Sequence, residues 1–288
     1  HYSSRRQRQM CIRDSMIGDP GYFGPQSMMW KINKEITVLF GGARALLMHA
    51  AHPLIAAGAR QTSFYQRDPW KRLIRTLSLQ NSVTFGTKQE ADESAHRINK
   101  LHEVIKGKDS VSGGIYDALD HEQLLWVHAC LQISSIYFYE KTVKKLSVEE
   151  KDLYHQENMI AAGLVLVDTK EMPQTLDELK DWVTTKSREK DYLIVTDVAE
   201  DVKDIIAGGP VPRHIKPIWP FIAFTAFQTL PQEFKDIYGI KTSKFKRVIV
   251  NINLGMLKYT RPFLPPFFRL IAPARWANQR ICLLYTSP

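Results

Sequence analysis

Gln123-Leu124-Leu125-Trp126-Val127-His128-Ala129-Cys130-Leu131 sets a single histidine inside an apolar run. Continuing to Tyr139, Leu124, His128, Leu131, Ser135 and Phe138 recur at steps of four, three, four and three, which is the spacing of one helical face. A face of that composition is buried. An imidazole on it must be hydrogen-bonded or metal-bound, because an unpaired buried polar group costs roughly 1–3 kcal/mol. Two readings of His128 stand at this point. One is a core histidine satisfied by a backbone carbonyl. The other is an axial ligand to haem iron, with Ala129, Ser134 and Ser135 leaving room beside the ring.

Working outward, helices dominate. Ser27 precedes Met28, Met29, Trp30 and Ile32 as a cap, after a glycine- and proline-rich approach at residues 17–25. Residues 35–60 are apolar but interrupted by Gly41-Gly42, Arg44, His49, His52 and Pro53, so a buried helix kinked at Pro53 is expected rather than a membrane span. Asp68-Pro69 signals a helix start, Gly86 its end, and Thr87 with Glu90 a capping box for the next helix, closed at Gly107. Residues 108–120 read as a loop. Ser147 with Glu150 forms a second box, and residues 173–178 start a further helix. Beyond a proline-rich crossing, residues 221–230 read as buried helix. Alternating strand pattern is scarce, with Tyr192-Leu193-Ile194-Val195 its best instance. The fold class expected is all-α, a single-domain multi-helix bundle.

Composition bounds the rest. The chain has 288 residues, 44% hydrophobic and 24% charged, a globular balance. Residues 1–15 and 282–288 look foreign to the body and resemble translated adapter sequence, so the domain is placed at 16–281. The first segment holds four arginines and one aspartate, which leaves +6 of the formal +9 on the remainder. Cys11 and Cys282 fall in those ends, and Cys130 alone cannot build a disulfide framework. A cytoplasmic protein is expected, with peripheral membrane association through the basic, aromatic stretch at 241–280 as an addition. The modest and undirected charge excess argues against nucleic-acid binding.

Among chemistry-bearing motifs, no phosphate loop, nucleophile elbow or zinc array is present. His49 and His52, three apart, could join Glu157 in a non-haem metal site. His102 is a further buried-histidine candidate. Arg44, Arg72 and Arg75 sit on apolar helices, where an arginine needs a partner.

Taken together, Gly18-Asp19-Pro20-Gly21, Gly41-Gly42 with Arg44-Ala45-Leu46-Leu47, His52-Pro53, Asp68-Pro69-Trp70 with Arg72, Arg75-Thr76, His102 with Gly107, and Leu124-Leu125-Trp126-Val127-His128-Ala129 resemble the MpaB and rubber oxygenase (latex clearing protein) catalytic domain, an ER-bound-oxygenase-like family. The likeness runs from about residue 17 to about residue 240. It implies an α-helical domain that holds haem b and uses O2 on small apolar, lipid- or isoprenoid-like substrates, with an electron donor the sequence does not name. Carried over, His128 stands where the family has its proximal iron ligand. Arg72, Arg75 and Thr76 stand on the distal side, the last two as catalytic donors toward dioxygen. Arg75 replaces a lysine, and a permanently charged guanidinium is no iron ligand, which leaves a distal role to a residue such as His52. Arg72 or Arg44 would pair with a haem propionate, and Leu73, Leu77 and Leu131 would line the substrate cavity. The alternatives are the non-haem site and a non-catalytic, membrane-associated haem-binding module.

Overall fold

The 22 residues His121–Thr142 form one helix, α6, whose buried side chains point in every direction round its axis: Leu124, Leu125, Trp126, Ala129, Cys130, Ser134, Ile136 and Phe138. A helix apolar all round belongs to an interior, and the other elements are laid about it. Asp120 starts it by accepting from the Gln123 amide at 3.0 Å. The structure, a computed structural model, describes residues 19–62, 69–209, 211–213 and 215–285, with backbone alone at 69–73 and 282–285.

In chain order the elements are α1 (Met28–Asn33), a 3-10 turn (Ile36–Leu39), α2 (Phe40–Ala50), α3 (Pro53–Thr62), α4 (Pro69–Phe85), α5 (Lys88–His102), the strand pair β1 (Lys106–Lys108) and β2 (Ile115–Asp117), α6, α7 (Val148–Leu164), α8 (Leu176–Arg188), α9 (Asp197–Gly208), α10 (Trp219–Thr229), α11 (Gln232–Ile237), α12 (Lys244–Thr260), a second 3-10 turn (Arg261–Phe263), α13 (Pro266–Arg269) and α14 (Ala272–Tyr285). The result is an all-α domain with one minor antiparallel hairpin, in which Gly107 faces Tyr116. Helix α6 packs on α2, α12, α8, α1 and α7, while α4 and α5 form a hairpin that meets the rest chiefly through α1 and α14, with Asn99 of α5 donating to the Leu164 carbonyl of α7.

Local signals place most helix starts. Ser27 accepts from the Trp30 amide. Full capping boxes are formed by Thr87 with Glu90, Ser147 with Glu150, and Thr175 with Glu178. The approach segment is fastened to the α4–α5 turn: Asp19 accepts from the Gly21 and Lys88 amides. Gly21 has φ +75°, and a Cβ there would lie 2.0 Å from the Gly86 carbonyl oxygen, so glycine is required on both counts.

Four expectations are corrected. The kinked helix across Pro53 is two helices, α2 and α3, meeting at 103°, with Pro53 at the first position of α3, where its missing amide hydrogen costs nothing. Helix α5 ends at His102, and Gly107 belongs to β1, pressed so closely on the Tyr116 ring that a Cβ would meet its hydroxyl at 2.7 Å. The segment 108–120 contains β2. Tyr192-Leu193-Ile194-Val195 is not a strand; it threads beneath the α2–α3 corner, with the Ile194 amide donating to the Ala51 carbonyl at 2.9 Å. The start signal at Asp68 and both foreign-looking ends lie outside the residues whose side chains are described. Among the described residues no single helix is long and apolar enough to cross a membrane.

Candidate functional site

Helices α6 and α7 meet along a polar seam inside an otherwise apolar core. Gln132, one turn beyond His128, lies 2.9 Å through Nε2 from Nδ1 of His155, and His155 Nε2 lies 2.7 Å from the Pro173 carbonyl oxygen. A carbonyl only accepts, so Nε2 of His155 carries the proton and Nδ1 accepts from the Gln132 amide. Asn158 donates to the Tyr154 carbonyl at 2.7 Å, and Asn33 of α1 donates to the Met29 carbonyl at 2.9 Å. These side chains are satisfied within the protein.

His128 is different. Its Nε2 is buried without a hydrogen-bond partner, although the residue as a whole keeps some accessible surface. Burial drives its pKa down to about 4, the neighbouring His155 acts in the same direction, and a hydrogen bond to the Asn158 backbone opposes both. With Nε2 unpartnered, that bond falls to Nδ1. The ring is therefore neutral at ordinary pH, and its Nε2 lone pair is without a partner. A neutral imidazole with one nitrogen unpartnered is able to donate that lone pair to a metal.

The remaining expected residues do not all gather round it. Arg44 is buried and donates through Nε to the Thr229 carbonyl at 3.0 Å and through Nη1 to the Ser134 hydroxyl at 2.6 Å, its guanidinium 5.1 Å from the centre of the Tyr137 ring. Its partners are internal to the fold, and its guanidinium takes up space beside Ser134. His52 lies edge-on to Tyr192 with centroids 4.7 Å apart and 5.9 Å from Trp126. Burial brings its pKa to about 4, and its Nδ1 has no hydrogen-bond partner. Trp126 and His128 point about 200° apart round α6, so His52 and His128 occupy opposite sides of that helix.

Arg75 and Thr76 occupy exposed positions on α4, and the side chains of Arg72 and Leu73 lie outside the described residues. Helix α4 packs chiefly on α5, with α1 the element it shares with α6. Leu77 and Leu131, expected to line one cavity, stand on helices that do not pack extensively on each other. Counting back from the Gly86 turn, residues 72–76 lie level with the end of α5 that carries His102. There burial lowers the His102 pKa, and its Nδ1 too is buried without a partner.

The non-haem site is not assembled. His49 Nε2 is 3.0 Å from the Val127 carbonyl oxygen, and Glu157 accepts from the Met29 amide at 2.6 Å, capping α1. Among the described residues no three of His, Cys, Asp and Glu converge as a metal cluster. Among the described residues, two open clefts stand out. One, of about 520 Å³, runs along Gln156, Met159, Ile160 and Gly163 to Thr169 and Gln174; the other, of about 220 Å³, lies between Arg60, Gln61, Lys108, Asp109 and Tyr116. Neither is lined by His128.

Sequence reasoning missed Gln132, His155 and Asn158. Gln132 was legible as the residue one turn beyond His128, and His155 with Asn158 as an i, i+3 pair on α7. That they meet is a tertiary fact.

No curated protein and no solved structure matches the chain. The catalytic-domain profile described as ER-bound oxygenase mpaB/B'/Rubber oxygenase does match, over residues 30–261, and so runs from within α1 to just past the end of α12. The chain thus belongs to the mpaB/rubber oxygenase catalytic-domain family.

Proposed function

We propose that this family member is a haem-b-dependent oxygenase acting with O2 on a small apolar substrate, and that His128 is the iron ligand. The family supplies the oxygenase activity. The observation that carries the haem assignment is the buried, unpartnered Nε2 of His128 beside side chains that are otherwise paired. A single imidazole is all that a porphyrin iron requires from the protein on one face, so the lack of a three-residue cluster among the described residues does not count against it.

The residues present fit such a group chemically. Burial keeps the His128 ring unprotonated, and the Asn158 backbone fixes its tautomer. When bound, haem would supply the activation of dioxygen. The protein's own contribution is to hold the imidazole neutral and correctly turned beside the polar seam of α7. Arg72 is the arginine left for a propionate, and Arg75 and Thr76 are the donors proposed for the oxygen side.

A second reading places the ligand at His102. It is favoured by the α4–α5 hairpin, which sets residues 72–76 level with His102 rather than with His128. The test is the visible spectrum of protein reconstituted with haemin, with haem quantified as its pyridine adduct. Loss of the Soret band in His128→Ala and its retention in His102→Ala supports the first assignment, and the reverse supports the second. Wild-type protein that takes up no haem would refute both.

A further inference from the structure

Helix α12 carries an apolar stripe on the side turned away from the protein. Phe245, Val248, Ile252, Met256 and Tyr259 follow at steps of three, four, four and three, and each is exposed, from 52% at Met256 to 75% at Tyr259. Those steps confine them to an arc of about 80° along a helix about 25 Å long. The opposite side is occupied: Val250 and Leu254 are 5% and 2% exposed and pack with Phe138 of α6. The orientation is thus fixed by core packing, and the stripe cannot turn inward. Directly after the helix, Phe263, Leu264, Phe267 and Phe268 are exposed as well.

Charge selects the occupant. From residue 241 to the last there is no aspartate or glutamate, against Lys241, Lys244, Lys246, Arg247, Lys258, Arg261, Arg269, Arg275 and Arg280. Arg261 and Arg280 face inward to Glu35 and Glu90, whereas Lys244 lies about 40° from the edge of the stripe on α12, with Arg247 and Lys258 further round the same helix. A second copy docking by the same face would bring two basic surfaces together. Among the described residues, neither of the two clefts along α7 and beside Arg60 is lined by α12.

We propose that the outer face of α12 and the aromatic turn after it dock this protein on the surface of an anionic lipid bilayer, the aromatic and aliphatic side chains entering the headgroup boundary and the lysines and arginines meeting acidic headgroups. This holds whatever cofactor the core carries.

Co-sedimentation of the full chain with vesicles tests it. Wild-type protein should sediment with phosphatidylcholine vesicles containing phosphatidylserine, and at least ~10-fold less with phosphatidylcholine alone. Ile252→Glu and Phe245→Glu, both at exposed positions and so expected to keep the wild-type melting temperature, should each reduce binding by ~10-fold or more. Ile115→Glu, an equally exposed position on β2, should bind as wild type. Vesicle binding undiminished in Ile252→Glu and Phe245→Glu would overturn the proposal. So would no vesicle binding by the wild type, or a dimer in solution that Ile252→Glu dissociates in the absence of vesicle binding.

Discussion

Glu35 and Arg261, 226 residues apart in the chain, form a two-pronged ion pair, with Nε 2.8 Å from Oε2 and Nη2 2.5 Å from Oε1. Glu35 is 2% exposed, and its carboxylate raises the pKa of Arg261. Beside it the backbones of Glu35 and Leu270 form an isolated bridge, and Ile271 donates to the Lys34 carbonyl. The C-terminal helices are thus clipped to the body at the start of the first 3-10 turn. Arg261→Ala leaves a buried carboxylate without a partner, which should cost toward the lower end of ~3–5 kcal/mol, because the arginine keeps some solvent contact. Arg261→Lys should fall between, since an ammonium cannot reproduce the fork. Urea unfolding measures both; equal stability of Arg261→Ala and wild type would show that the pair contributes nothing.

Arg44 should behave as a structural residue. Its truncation to alanine strips donors from the buried Ser134 hydroxyl and the Thr229 carbonyl and opens space beside Tyr137. The expected loss is on the order of 2–4 kcal/mol in urea unfolding. Haem content per folded molecule should stay at the wild-type level. A variant of normal stability that binds haem poorly would return Arg44 to the cofactor.

Much of this architecture was legible because short-range chemistry dictates it. Thr87 with Glu90 and Ser147 with Glu150 announce helix starts within four residues, and the apolar surround of His128 announces a buried helix. The failures share a cause. Tyr192-Leu193-Ile194-Val195 is a short apolar run, which periodicity cannot assign, and its place is decided by Ala51, His52 and Trp126, which are remote in sequence. Helix α9 was overlooked although Thr196 and the spacing of Val198, Val202 and Ile206 carry it. At the site, sequence singled out His128 as a buried imidazole but could not name its partners. Nothing local tells which carbonyl Nδ1 will meet, or that Arg44 will be taken by Thr229.

The adjacent glycines of α2 should respond with opposite signs. A Cβ on Gly41 would lie 3.0 Å from the Ser134 carbonyl oxygen and 3.1 Å from its carbon, backbone atoms of α6 that cannot rotate away. On Gly42 it would meet nothing within 4 Å. Gly41→Ala should therefore destabilise by ~1–3 kcal/mol through forced separation of the two central helices. Gly42→Ala should stabilise by roughly 0.5–1 kcal/mol, the ordinary gain of alanine over glycine within a helix. Thermal melts of the two variants distinguish a helix crossing set by Gly41 from one indifferent to it, in which case both substitutions would raise the melting temperature.

Acid should weaken the fold through its buried histidines before the carboxylates titrate. Burial lowers the pKa of His52 and of His128 from 6.5 to about 4, so between those values the unfolded chain binds protons that the folded chain refuses. Stability from this source is complete above pH 6.5 and falls as pH drops toward 4. Between pH 7.5 and 5.5 each histidine should account for about 1.4 kcal/mol, and His102 and His155, shifted in the same direction, add to the slope. Urea midpoints at the two pH values measure the total. The double variant His52→Gln, His128→Gln should lose most of the difference, whereas an unchanged pH slope would mean that these rings are already solvated in the folded protein. The same property bears on ligation, because a ring that stays unprotonated down to about pH 4 keeps its Nε2 lone pair available to iron. Under the proposed assignment of His128 as haem ligand, haem release should require acid well below pH 6.5, a midpoint read directly from the Soret band.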